Sequence, residues 1–262
     1  MLKGGKEFVI CSTGEVKEVR AGITRTDNRK GLYKTFANIR GIINANVTDV
    51  SKVRWCTLTY KENMTDTKRL YRDFRDFNKR FQYYCQKNDY GKPEYIAVFE
   101  PQKRGAWHAH LLYIWQDRTA PFIPNEDFAE IWRQGFVQIR KLENIDNVGA
   151  YLTAYLTDLE FGEGCFDLNA KSVLKGQFRA SEDEENRNKA YIKGARLKFF
   201  PKNFQIVRHS KRIQYPKVTM MTKAEVEKKV LGVTKTFERA YKLTDGDFES
   251  IIVKEQYNLI RK

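Results

Sequence analysis

Apolar positions recur along this chain in two rhythms, and the switches between them mark out the elements. From Asn28 to Asn46, Leu32, Phe36, Ile39 and Ile43 fall at spacings of 4, 3 and 4. That places one apolar stripe on a helix, with Lys30, Lys34 and Arg40 mostly off it. The run Val53-Arg54-Trp55-Cys56-Thr57-Leu58-Thr59-Tyr60 then alternates and is rich in β-prone residues, so it predicts a strand. From Lys68 to Lys87 the helical period returns through Leu70, Phe74, Phe77, Phe81 and Tyr84, with Asp66 or Thr67 as the cap. The other face of this helix carries Arg69, Arg72, Arg75, Lys79 and Arg80. Its aromatic stripe reads as core.

Two strands follow, Tyr95 to Phe99 (closed by Glu100-Pro101) and Ala106 to Trp115, joined by a turn over Gln102 to Gly105. Asn125 is expected to cap a short helix through Trp132, Gly135 to end it, and Phe136 to Lys141 to form a strand. Asp146 is placed to cap a last helix from Asn147 to about Leu159. The order β-α-β-β-α-β-α predicts an α+β fold: an RRM-like antiparallel sheet with helices packed on one side.

Three regions result: an N-terminal extension with a helix (1–47), a core (48–165), and a basic, mixed α/β C-terminal extension (166–262). The first region also has weak strand signals around Gly14. In the last, residues 180–188 are acidic and loop-like. Lys189 to Arg212 is basic and aromatic, which fits either a surface that holds DNA or a strand-rich piece of core. Thr222 to Val230 resembles a helix, and Phe237 to Leu243 with Phe248 to Tyr257 resembles a hairpin about Asp245-Gly246-Asp247.

Charge sharpens this picture. The chain has 262 residues, 41% hydrophobic and 31% charged, with a net charge of +15. A chain that folds and is this basic points to a polyanionic partner. No apolar run reaches the ~18–20 residues that cross a bilayer, so no membrane role is expected. No signal-peptide core follows the first six residues. The four cysteines form no CxxC pair, which argues against a disulfide framework or zinc ribbon and for a reducing, cytoplasmic setting.

The candidate chemistry centres on His108-Ala109-His110, which holds two of the three histidines in the chain. On a strand, i and i+2 share a face, so the two imidazoles project together. Alone, the pair is as consistent with core histidines as with metal ligands. Glu100 closes the partner strand of the hairpin and falls beside them across the ladder. Two histidines and a carboxylate form a mixed N/O set suited to Mn²⁺ or Mg²⁺, and Zn²⁺ is also compatible. Tyr151 and Tyr155 stand one helical turn apart on one face. Only ~0.1% of a free phenol is ionised at pH 7, so a tyrosine nucleophile needs charge drawn from the group it attacks. An isolated pair of this spacing is otherwise a core pair. The Thr57-Leu58-Thr59 strand has no specificity by itself.

Taken in order, Trp55 to Tyr60, Glu100 with His108-Ala109-His110, and Tyr151 with Tyr155 resemble the three motifs of the HUH endonucleases, specifically the rolling-circle replication initiators of two-tyrosine type. The resemblance covers about residues 48–160. It implies an HUH endonuclease fold, a divalent metal held by Glu100, His108 and His110, and catalytic tyrosines at Tyr151 and Tyr155. It also implies single-stranded and hairpin origin DNA as substrate, cleaved to a 5′-phosphotyrosine and a free 3′-OH. The lysines that follow each tyrosine in the family would fall at Ala154 and Asp158, so the accompanying cation must come from elsewhere, with Arg140 and Lys141 the candidates. No GxxxxGK[ST] stretch is present, so strand separation would fall to a host helicase.

Related readings are a conjugative relaxase, disfavoured because the tyrosines follow the histidines, and a single-strand transposase, which is generally smaller and has one tyrosine. A non-catalytic RRM-like nucleic-acid binder would make the motif order an accident. The C-terminal extension is compatible with origin recognition, with helicase recruitment, or with dimerisation.

Overall fold

The computed structural model describes residues 2–3, 7–9, 12–18, 29–102, 104–142, 148–149, 159–161, 178–180, 190–192, 200–245 and 248–259. Three short strands, β1 (Leu2–Lys3), β2 (Glu7–Val9) and β3 (Val16–Glu18), form a small antiparallel sheet turned at Gly14, where φ is +69°. Helix α1 (Arg29–Asn46) buries Phe36, Ile39, Ile42 and Ile43, the stripe the spacing predicted.

Strand β4 (Val53–Thr59) leads to α2 (Thr67–Lys87), then to β5 (Glu94–Pro101) and β6 (Trp107–Ile114). Helix α3 (Asn125–Trp132) and β7 (Val137–Lys141) follow. Short strands β8 (Leu159–Phe161), β9 (Phe178–Ala180) and β10 (Ala190–Ile192) make a separate sheet in the order β8-β10-β9. Strand β11 (Val207–His209) joins the principal sheet, whose order is β11-β5-β6-β4-β7, antiparallel throughout. This is the α+β, RRM-like arrangement expected from the element order.

Helix α2 starts where its sequence says it should: the Asp66 carboxylate accepts from the backbone N–H of Lys68 and Arg69. Its aromatic stripe is core. Phe74 meets Tyr95 and Phe99 edge-on, Phe81 lies 4.3 Å from the Tyr113 ring, and Phe77 and Phe81 both meet Phe128 of α3. Helices α2 and α3 thus share one face of the sheet. At the C-terminal end of the stripe the fully buried position is Cys85, four residues after Phe81, while Tyr84 is half-buried and donates to Asp127. Burial pushes the Cys85 thiol up to about 12 and raises that of Cys56, so both free cysteines are packing groups.

Asn125 does not cap α3. Pro124 holds that position with no side-chain bond, and the Asn125 side chain instead accepts from the Ile139 N–H at 2.9 Å, tying the helix to β7. Gly135 (φ +152°) is required by close approach: a Cβ there would lie 2.4 Å from Lys61 N and 2.6 Å from Thr59 O. The end of β4 is thereby seated against the α3–β7 turn, and Thr59 N–H donates to Phe136 O.

Part of the Lys189–Arg212 segment is core. Phe200, Phe204 and Ile206 are buried, Phe204 stacks on Trp107 at 4.3 Å, and the Arg208 guanidinium lies 3.7 Å from the Tyr71 ring centroid. Basic composition there accompanies packing, and strand β11 carries the sheet well past residue 165. Asn46 at the end of α1 both donates to Gln214 O and accepts from Gln214 N–H.

A second compact unit is formed by residues from Tyr215 onward. It contains α4 (Lys223–Lys229), with a reciprocal Thr222–Glu225 capping box, and the hairpin of β12 (Lys235–Asp245) and β13 (Phe248–Tyr257). The helix expected from Asn147 falls largely outside the described residues, as does the acidic stretch 181–189. Among the described residues no helix is long and apolar enough to cross a membrane.

Candidate metal centre

The site is assembled by strand register. Glu100 on β5 stands opposite His108 on β6, and His108 stands opposite Thr59 on β4. One row further on, Val98, His110 and Thr57 are aligned in the same way. Side chains two apart on a strand share a face, so Glu100, both histidines and both threonines all project from one side, away from α2. Trp107, Ala109 and Tyr113 take the alternate positions and pack towards that helix.

The Glu100 carboxylate Oε1 lies 3.0 Å from His110 Nε2 and 3.7 Å from His108 Nδ1. The three ligand atoms fall within 4.8 Å of one another. Two atoms each ~2.1 Å from one ion at tetrahedral or right-angle geometry sit about 3–3.5 Å apart, so the group needs little adjustment to close on a cation. Glu100 and His110 are buried, whereas His108 is half-buried, which leaves its side of the group open to an incoming ligand. A buried carboxylate among imidazoles is costly unless positive charge meets it. The donor set, two nitrogens and one oxygen without thiolate, fits a divalent ion that keeps positions for substrate oxygens and water.

The second ring nitrogens are also held. Thr57 Oγ1 lies 3.4 Å from His110 Nδ1, and Thr59 Oγ1 shares a hydrogen bond with His108 Nε2. With Nε2 of His110 and Nδ1 of His108 turned to Glu100, each threonine takes the opposite nitrogen of its histidine and fixes ring orientation. Gln102, in the hairpin turn, approaches His108 Nδ1 at 3.4 Å and accepts from Arg104 Nε at 3.3 Å. Arg104 also donates to Tyr60 O, so an exposed guanidinium is anchored at the rim one side chain away from His108.

Trp55 continues the row on β4: its ring is 5.7 Å from that of His110, and the Arg140 guanidinium is 5.7 Å from the Trp55 centroid. Tyr60, next after Thr59, is unsuited to act as a nucleophile. It is buried, it donates to Asp73, and burial together with the Asp73 charge raises its phenol pKa well above the ordinary value.

The sequence-derived metal residues Glu100, His108 and His110 are therefore brought together in space. The threonines were quoted as a motif without a role. The signal that reveals one is the matching period of two on β4 and β6, once their register is known. Tyr151 and Tyr155 lie outside the described residues. Just before them, Gly149 donates its N–H to Asn44 of α1, and a Cβ on Gly149 would lie 2.8 Å from Arg40 O.

Residues 53–160 match the family model for replication-associated proteins of the ORF2 type. That segment falls in a family of rolling-circle replication initiators. The match begins at the first residue of β4 and spans the whole Glu-His-His group and both tyrosines. Neither the curated proteins nor the solved structures contain a match to this chain.

Proposed function

We propose that this protein nicks and rejoins single-stranded origin DNA by tyrosine transesterification. The observation that carries the reading is the Glu100–His108–His110 group, built by strand register inside the segment that matches the initiator family. Glu100, His108 and His110 would hold one Mn²⁺ or Mg²⁺. When bound, such an ion supplies positive charge to a scissile phosphate and to the charge that develops on it.

The chain's own residues do the rest. Thr57 and Thr59 keep the imidazoles in the ligating orientation, and Arg104 at the rim attracts the DNA backbone. The Tyr151 phenol oxygen attacks phosphorus, a new P–O bond to tyrosine forms, and the bond to the 3′ oxygen breaks. The phenolic proton is lost and the departing 3′ oxygen gains one, leaving a 5′-phosphotyrosine and a free 3′-OH primer. The phosphotyrosyl diester retains much of the energy of the broken link, so attack by a DNA 3′-OH reverses the step without ATP. Tyr155 makes the second cut while Tyr151 is occupied. In this reading the protein works in the cytoplasm of a bacterial host, beside a host helicase and replication machinery.

The test incubates the full chain with single-stranded oligonucleotides from its own replicon plus Mn²⁺ and separates covalent adducts by denaturing electrophoresis. An adduct is expected with the wild type and lost in Tyr151→Phe. An adduct that persists in Tyr151→Phe and vanishes in Tyr155→Phe reverses the nucleophile assignment. No adduct with any origin oligonucleotide favours a non-catalytic binder.

A further inference from the structure

The β12–β13 hairpin has two unlike faces. Its register pairs Phe237 with Gln256, Arg239 with Lys254, Tyr241 with Ile252, and Leu243 with Ser250. By alternation these residues and Phe248 share one face. Glu238, Ala240, Lys242, Glu249, Ile251, Val253 and Glu255 share the other.

The second face neutralises itself. Lys235 at the end of the ribbon bridges Glu238 and Glu255, and Lys242 pairs with Glu249. The first face carries Arg239 and Lys254, and none of the residues that share it is acidic. Both cations stand 5.1 Å from the Tyr241 ring centroid, and neither pairs with a carboxylate among the described residues. Phe237, Tyr241 and Phe248 are 48%, 36% and 64% exposed. At ~3.4 Å per residue, with Phe248 opposite Asp245, the three rings recur about every 13 Å along the ribbon.

We infer that this face is a second nucleic-acid platform, and that its occupant is single-stranded DNA. The inference rests on the initiator reading for the presence of such a strand. Exposed rings in a row accept unpaired bases by stacking, which tolerates any sequence, and the intervening Arg239–Lys254 pair meets the phosphates. Pairing this face with its own copy would bring Arg239 and Lys254 against the same cations across a two-fold axis, which disfavours a homodimer. A base-paired duplex hides its bases from flat rings. The charge asymmetry of the ribbon thus selects an anionic partner with exposed π-faces.

The test measures fluorescence anisotropy of a labelled oligothymidine with the full chain carrying Tyr151→Phe, in EDTA, across a salt series. Under these conditions no covalent step contributes, so failure of the nicking reading and failure of this one remain distinct. Tyr241→Ala is expected to weaken binding about tenfold, and Tyr241→Phe to restore it. Lys254→Gln should lower the slope of log affinity against log salt by about one. Ile251→Ser on the opposite face should leave binding unchanged.

Wild-type binding by both Tyr241→Ala and Lys254→Gln overturns the proposal. Tighter binding of a duplex of the same length, lost on Tyr241→Ala, replaces the single strand with a duplex. A Tyr241→Ala variant that binds oligothymidine normally but changes sedimentation makes the face a self-association surface.

Discussion

Strands β6 and β13 make an instructive pair. Both are apolar-rich, both run antiparallel beside a partner joined by a short turn, and both would be read as strands from alternation alone. Strand β6 is buried on both faces, with only His108 half-buried. Strand β13 is exposed on nearly all of its length. Alternation thus reports strand geometry and says nothing of what covers it. Covering is what makes β6 a chemical site. With Trp107 and Tyr113 packed on one face, the alternate residues have fixed positions on the other, and two imidazoles meet one carboxylate in a low-dielectric setting. The same backbone without cover makes β13 a surface for something else to meet.

The sharpest way to break this contrast is to open the cover. Phe77 is fully buried and meets Phe81, Phe128 and Trp132. Phe77→Ala is expected to cost about 3–5 kcal/mol, read as a fall in thermal midpoint. Loss of metal affinity in the same variant would show that the site borrows its order from the far face of the sheet. A change under about 1 kcal/mol would mean that α2 does not secure β6 and would remove the argument.

Metal comes next in size. An ion at 100 times its Kd should raise the stability of the sheet unit by about 2.7 kcal/mol through linkage, seen as a Mn²⁺-dependent rise in thermal midpoint. His110→Ala should abolish that rise. A Mn²⁺ response that survives in His110→Ala while vanishing in a variant elsewhere would move the metal away from this group. The Thr57 contact is a smaller and more selective lever. Thr57→Val keeps shape and removes the hydroxyl beside His110 Nδ1, and is expected to lower metal affinity about 10- to 100-fold with the fold intact. Unchanged affinity would reduce the threonine to a strand former.

The fold was legible where one period ran long enough to be unambiguous. The five residues Leu70 to Tyr84 named a helix and its buried face, and only the last of them, Tyr84, gave its place to Cys85. The metal group was legible because the motif and the partner residue lay eight to ten positions apart, joined by a turn of known kind. What could not be read was anything that depended on distant pairing. Strand β11 reaches β5 from more than a hundred residues away, and nothing local in Val207-Arg208-His209 says which edge it joins. Phe200 and Phe204 sit among lysines and arginines and looked equally like a binding surface, because composition does not record that Trp107 stacks on Phe204. The Asn125 side chain has the chemistry of a cap, but it found a backbone N–H on β7 instead, a tertiary contact outcompeting a local one.

The smallest effect belongs to the hairpin, and it tests the comparison from the other end. Ile251 is 70% exposed on the face of the ribbon opposite Tyr241. Exchanging it for serine removes apolar surface that is already in water, so little transfer free energy is lost, and the strand keeps a residue that adopts extended backbone. Ile251→Ser should therefore change stability by no more than about 0.5 kcal/mol, with hydrogen exchange of the β12–β13 amides as the local readout. Leu111→Ser in β6, a fully buried position, makes the contrasting measurement, since it both opens space and buries a hydroxyl. If hairpin protection collapsed in Ile251→Ser, that face would have a cover of its own in solution. The two strands would then differ in what covers them, and the self-neutralised face of the ribbon, with its apolar centre at Ala240, Ile251 and Val253, would be the side on which to look for the covering element.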